Sequence, residues 1–141
     1  MASITPAGRP LLHPLHAIFT AFPVALFTTG LLTDIAYLQT AEIQWTNFSA
    51  WLIFGALIGG GVALLWAVIA ALHTCLRRTN MRLFVLLLGL SWLLGLVNAF
   101  QHSRDAWSSV GATGLTLSIL SALLALAASW MTHSCTLESG A

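Results

Sequence analysis

The chain has 141 residues, of which 58% are hydrophobic and only 6% are charged, and its basic residues are five arginines with no lysine. This composition lies far outside that of soluble globular domains, so the sequence indicates a membrane protein. The formal net charge is +1, and the arginines are scattered rather than clustered. A basic surface for nucleic acid or for acidic substrates is therefore excluded.

Apolar segments long enough to cross a bilayer dominate the chain. A spanning helix needs about 20 apolar residues, and lipid offers no partners to backbone amides, which favours helices over irregular structure. The opening residues MASITPAGRP lack the charged start and short apolar core of a secretory signal, so we expect them to be retained. The sequence predicts one all-α domain, a membrane four-helix bundle in contact with the lipid bilayer, with spans at about 14–37, 49–73, 82–101 and 110–132.

The distribution of arginine predicts the orientation of these spans. Arg104 stands beside Asp105 in the connection between the third and fourth spans. The other four arginines precede the first span or follow the second: Arg9, Arg77, Arg78 and Arg82. Because cytoplasmic segments carry the excess of Lys and Arg, both termini are expected in the cytoplasm.

The segment HPLHAIFTAFP opens the first span. Pro14 suits the first helical turn, where a missing N–H costs nothing. His16 and Thr20 then share one face of the helix. Pro23 cannot donate to the carbonyl of Phe19, so the helix is expected to bend or loosen near the histidines.

Histidines collect at the cytoplasmic ends of the spans. A b-type haem held between two helices has its iron between facing imidazoles and its propionates near cations. His16 and His73 are the predicted axial ligands, with Arg77, Arg78 or Arg82 as propionate partners. Because the first two spans are antiparallel neighbours, we expect both histidines at similar depth. The alternative is that the histidines are amphipathic interfacial residues, and His13 is expected to be a solvated flank.

Two H-x-C pairs offer a competing site. LHTC and THSC place His73 with Cys75, and His133 with Cys135, after the second and fourth spans. Two His and two Cys form a tetrahedral zinc set in principle. H-x-C is not the usual chelate spacing, so zinc is disfavoured, and both cysteines are expected to be reduced thiols.

The other membrane face carries a second polar group. Asp34 lies near the end of the first span, and an acid at that depth is usually paired or functional. Asn98 and His102 share a helix face, with Arg104 and Asp105 just beyond. We expect Asp34 to pair with Arg104 or His102, in a cluster that either fixes the connecting segments or docks a partner. No serine or cysteine with an adjacent base stands out, which disfavours a hydrolase.

Small residues recur along the second and fourth spans. Gly55 and Gly59 have GxxxG spacing, and small residues let helix backbones approach closely. Packing within one bundle is expected, with a homodimer as the alternative. The fourth span carries its own series at steps of three or four: Gly114, Ser118, Ala122, Ala125 and Ser129.

Several motifs resemble a known family. HPLHAIFTAFPVAL, an aspartate closing the first helix, and VNAFQHSRDAW followed by GLTLS are similar to the bacterial membrane proteins of domain of unknown function family 2231, from His13 to about Met131. The resemblance implies a bacterial inner-membrane four-helix module. Relatives occur beside or fused to c-type cytochromes, Rieske-type proteins and quinoprotein-like sugar dehydrogenases. The family-like polar residues are His13, His16, Asp34, His102, Arg104 and Asp105.

This chain departs from the family pattern at two places. RLFVLLLGLSWLL has no histidine where many relatives place one near the start of the third helix, and VGATGL has no proline before its GL element. The first departure weakens a standard ligand pair. His73 would then supply the missing ligand, with His102 as the spare candidate.

The leading hypothesis is a haem b electron-transfer protein that relays electrons between quinone and a periplasmic dehydrogenase or c-type cytochrome. The alternative is a cofactor-free membrane anchor or interaction subunit for such a partner. A transporter lacks support because charged residues are absent from the centres of the spans.

Overall fold

Four long helices form the described part of the chain. The computed structural model describes residues 14–73, 79–103 and 110–137, without the side chains of residues 73, 79, 80 and 133–137. Each helix is long and apolar enough to cross a membrane, which confirms the prediction of an all-α membrane protein. The helices are α1 (Pro14–Thr40), α2 (Ile43–His73), α3 (Thr79–His102) and α4 (Ala112–Leu137).

The helix starts and ends differ from the predicted spans where polar residues mix with apolar ones. α2 begins at Ile43, six residues before the predicted start at 49, and α4 extends to Leu137. Apolarity marks only the part of a helix that lies in hydrocarbon, whereas the backbone ladder continues into the interface. The helices are therefore longer than the spans that hydropathy alone identifies.

A two-residue turn joins α1 to α2. Ala41 has a positive φ of 56°, and its N–H donates to the carbonyl of Tyr37 at 2.8 Å. This geometry is the left-handed C-terminal cap of a helix, a position that glycine usually occupies. The cap ends α1 at Thr40 and reverses the chain into α2.

The helices pack in a ring. α1 contacts α2 and α4, and α3 contacts the same two helices, so α1 and α3 face each other across the centre. The inward face of α1 follows a repeat of three and four residues, while the residues between, such as Ile18 and Leu32, are exposed. The buried positions are His16, Thr20, Pro23, Phe27, Gly30, Thr33 and Asp34.

Glycines on α2 and α3 admit bulky side chains from α1. A Cβ on Gly59 would lie 2.4 Å from Cβ of Phe22, and a Cβ on Gly95 would lie 2.4 Å from Cζ of Phe27. Such distances are far inside van der Waals contact, so only glycine fits at these positions. Gly59 thus serves the packing of α2 on α1 within one chain.

Pro23 does not interrupt α1. The helix is continuous from Pro14 to Thr40, and the ring of Pro23 packs on Gly60, whose added Cβ would lie 3.3 Å away. Beside it, Nε1 of Trp92 donates to the carbonyl of Leu57 at 2.9 Å. The space beside the proline is filled by α2, and the tryptophan links α3 to α2 near the middle of both helices.

Candidate functional site: a buried polar network

Polar side chains from all four helices meet near one end of the molecule. We call this the hairpin end, where Thr40 leads into α2 and Ser103 follows α3; the opposite end is the terminal end, where α1 begins and α4 ends. Each of these polar residues is at most 8% exposed, although the helices around them are apolar. The hairpin-end network consists of Asp34 on α1, Ser49 on α2, Asn98 and His102 on α3, and Ser118 on α4.

The carboxylate of Asp34 is the centre of the network. Oδ1 lies 3.0 Å from Nε2 of His102, and Oδ2 accepts a hydrogen bond from Oγ of Ser118 at 2.5 Å. Nδ2 of Asn98 donates to the same serine oxygen at 2.7 Å. The contacts therefore run from α1 to α3 and α4, across the centre of the helix ring.

The second nitrogen of His102 fixes how the imidazole is protonated. Nδ1 lies 3.0 Å from the carbonyl of Asn98, and because a carbonyl only accepts, Nδ1 carries a hydrogen. Nε2 faces Asp34, so one further proton lies between this nitrogen and the carboxylate. The pair is neutral overall, either as imidazolium and carboxylate or as imidazole and carboxylic acid. Neutrality satisfies the requirement that a charge buried in an apolar span be paired.

Ser49 does not complete a catalytic triad. Its Oγ lies 3.4 Å from Nε2 of His102, the nitrogen that also faces Asp34, and it donates to the carbonyl of Gly30 at 3.3 Å. A triad needs the carboxylate and the nucleophile on opposite ring nitrogens. The geometry therefore gives Ser49 no base.

The structure brings together part of the predicted polar cluster. Of the two partners expected for Asp34, His102 contacts it, while Arg104 and Asp105 lie outside the described residues. Ser49 and Ser118 were not predicted as members. A serine in an apolar helix is a sign that a buried polar contact could form there. Such a serine usually bonds to its own helix, however, as Ser121 does with Leu117.

His16 forms a separate contact toward the terminal end. Its ring is 1% exposed, and Nε2 lies 3.0 Å from the carbonyl of Ala63, to which it donates. Nδ1 lies 3.2 Å from Oγ1 of Thr20. The rings of Trp66 and Phe84 meet the imidazole edge-on, with centroids 6.1 and 5.7 Å away. His16 therefore joins α1 to α2 inside the helix ring rather than lying at a wet interface.

This placement corrects the expected depth of the haem ligands. His16 is level with Ala63, and His73 follows ten residues later, about 15 Å along α2 at 1.5 Å per residue. Ligation would require His16 to release Ala63, and His102 likewise has both ring nitrogens engaged. The described contacts of these two histidines do not fit axial ligation. The His73 side chain is not described, so its role stays a prediction.

The remaining predicted ligands have partial descriptions. Arg82 is exposed in the first turns of α3. Arg77, Arg78 and Cys75 lie outside the described residues, as do the side chains of His133 and Cys135. Among the described residues, no group of three His, Cys, Asp or Glu side chains could hold a metal ion.

Comparison with known proteins identifies the family. A family model described as a predicted membrane protein, DUF2231, matches residues 12–140. The chain belongs to the DUF2231 family. The match includes all four helices and both ends of the Asp34–His102 contact. No curated protein and no solved structure matches the chain.

Proposed function

We propose that this DUF2231 protein is a subunit of the bacterial inner membrane that anchors a redox partner at its hairpin end. Both termini lie in the cytoplasm in this proposal, which the arginine distribution supports. The partner is a periplasmic dehydrogenase or a c-type cytochrome, as the family resemblance implies. The subunit supplies attachment and orientation, and it performs no reaction of its own.

The observation that supports anchoring is the network directly beneath the connecting segments. His102 precedes Arg104 by two residues, and Asp34 precedes the turn at Ala41 by seven. Because Asp34 bonds to side chains on α3 and α4, the helix ends that carry both connections are held together. Helix ends that are held in one arrangement reduce the ordering cost of binding a partner at this end.

Arg104 is the residue that tests this proposal most sharply. It is the only arginine in the predicted outer connections, and a charge at the rim of an interface acts mainly on encounter and specificity. Arg82 is a matched control because it is an exposed arginine at the terminal end. We would extract tagged wild-type, Arg104→Ala and Arg82→Ala proteins from membranes of the source organism in mild detergent and compare them by native mass spectrometry and visible absorbance.

The wild type and Arg82→Ala should carry a larger complex with the absorbance of a redox cofactor, and Arg104→Ala should lose most of it. A wild-type chain that is recovered alone would contradict anchoring. Equal loss in both variants would mean that the outer connection is not the docking site.

The haem alternative makes a different prediction for the isolated chain. A b-type haem protein that relays electrons to or from quinone would show a reduced-minus-oxidised spectrum of its own when expressed with ample haem precursor. Anchoring predicts no such spectrum. Bands near one haem per chain that disappear in both His16→Ala and His73→Ala would replace anchoring with electron transfer.

A further inference from the structure

The hairpin-end network has the chemistry to change its protonation state. His102 and Asp34 share one proton across a contact of 3.0 Å, and Nδ1 keeps its own hydrogen on the carbonyl of Asn98. The carboxylate oxygen on the other side, Oδ2, faces the hydroxyl of Ser118. A second proton added at Oδ2 would therefore meet a group that can either donate or accept.

Ser118 can reverse its role without losing its hydrogen bonds. A hydroxyl has one hydrogen and two lone pairs and rotates to suit its partners. When Oδ2 carries a proton, Ser118 accepts from it and turns its own hydrogen to a carbonyl of α4. The same helix already shows this bond at Ser121, which donates to Leu117, and at Thr132, which donates to Ala128.

The side chain of Asn98 supplies an independent observation. It is fully buried, its Nδ2 donates to Ser118, and its Oδ1 has no hydrogen-bond partner among the described residues. Buried polar atoms are nearly always paired, often with water. An unpaired acceptor beside Ser118 marks a place for a water molecule or hydronium ion that delivers a proton to the chain.

We propose that Asp34 and His102 form a proton-binding site that takes up one proton from water at the hairpin end. Hydronium gives its proton to Oδ2 of Asp34 and leaves as water. Starting from the imidazolium and carboxylate form of the pair, the carboxyl group becomes neutral, His102 remains an imidazolium, and the site changes from neutral to a charge of +1. No bond other than these O–H bonds forms or breaks.

The surroundings favour exchange at this end of the molecule. Ser103 follows His102 directly and is exposed, so the surface of the described chain begins one residue beyond the site. From α2 and α4 the contacting side chains are Ser49 and Ser118, which do not titrate in the ordinary range. On α1, the half-buried Tyr37 lies one turn beyond Asp34; Arg104 and Asp105 lie outside the described residues.

The test measures the protonation of the two groups in the intact protein. We would place the full chain in lipid nanodiscs and titrate it across about pH 4 to 8, following the carboxylic acid stretch by infrared spectroscopy and the histidine side chains by ¹⁵N NMR. Asp34→Asn identifies the carboxyl band and His102→Asn the imidazole signals. Tyr37→Phe excludes the phenol.

The Asp34 carboxyl should titrate in one step, and the His102 nitrogen signals, which stay in the imidazolium range, should shift with the same midpoint because the two groups are coupled. The component of the carboxyl band that belongs to Asp34, separated by difference from those of the other three carboxyl side chains, should be lost in Asp34→Asn and kept in Tyr37→Phe. Ser118→Ala should displace the midpoint, whereas Ser121→Ala, whose hydroxyl bonds only within α4, should leave it in place.

A carboxyl band and an imidazole signal that stay constant across the range would overturn the proposal and leave a purely structural pair. So would a carboxyl band whose titration is the same in Asp34→Asn as in the wild type. A step that coincides with loss of helical circular dichroism would also overturn it, since uptake would then require unfolding. These outcomes do not depend on anchoring, because the isolated chain is measured.

Discussion

Replacement of Asp34 by alanine should destabilise the protein strongly. The change removes the hydrogen-bond partner of His102 Nε2 and the acceptor of Ser118 Oγ, both of which are buried. Two hydrogen bonds inside a membrane contribute about 1 to 3 kcal/mol together, and deletion of one member of a buried ion pair costs about 3 to 5 kcal/mol. We expect Asp34→Ala to lower the free energy of unfolding by about 3 kcal/mol.

Asp34→Asn is the matched control. Its amide has nearly the same shape, can accept from Ser118 and can donate to Nε2 of a neutral His102. The cost should therefore stay below about 1 kcal/mol. A double-mutant cycle of Asp34→Ala with His102→Ala should give a coupling energy of about 1 to 3 kcal/mol, because each single change already breaks the shared contact.

The assay is reversible unfolding in mixed micelles with increasing SDS, followed by far-ultraviolet circular dichroism. Asp34→Ala within about 0.5 kcal/mol of wild type would refute the argument, since surface changes without a role fall in that range. If the stability losses of the two single variants simply add in the double variant, Asp34 and His102 do not interact in the membrane.

Other contacts make separate predictions for the same unfolding assay. Gly95→Ala should cost about 1 to 3 kcal/mol because its Cβ would meet Phe27, whereas Gly89→Ala, with its nearest neighbour at 3.8 Å, should be neutral or stabilising. A lower stability for Gly89→Ala would argue against this packing. His16→Ala should cost about 2 to 4 kcal/mol through the lost bond to Ala63 and a cavity, and the lipid-exposed Ile18→Ala should cost much less; equal effects would place His16 at the surface. Trp92→Phe should cost about 0.6 to 1.7 kcal/mol of stability through loss of the bond to Leu57. Trp130→Phe is the control, because that side chain is 77% exposed. Equal stability of the two variants would contradict the bond.

The sequence predicted the helices well because apolarity is a direct property of residues in lipid. It missed the first six residues of α2, where Gln44, Thr46 and Asn47 dilute the apolar pattern. The turn at Ala41 was also hidden, since a left-handed cap usually signals itself by glycine.

The candidate site could be predicted only in part. The i, i+4 spacing of Asn98 and His102 and the depth of Asp34 pointed to a paired acid, and the structure joins Asp34 to His102. The pairing of Ser118 depends on which face of α4 turns inward, which the sequence does not specify.

The prediction that His16 and His73 lie at similar depth was wrong for a physical reason. The prediction treated α1 and α2 as antiparallel helices of equal reach. In the structure α2 continues ten residues beyond the level of His16, to His73. Helix length past the point of contact depends on the interface, where polar and apolar residues mix.

The contact between Asp34 and His102 is the most direct test of the account, because anchoring and proton binding both depend on it. We would measure the dipolar coupling between the ¹³C-labelled carboxyl of Asp34 and the ¹⁵N-labelled Nε2 of His102 by solid-state NMR in bilayers, with His102→Gln as the blank. The structure predicts a measurable coupling, since Nε2 is 3.0 Å from Oδ1, which is bonded to the labelled carbon. The absence of coupling in the wild type would contradict the network on which both proposals rest.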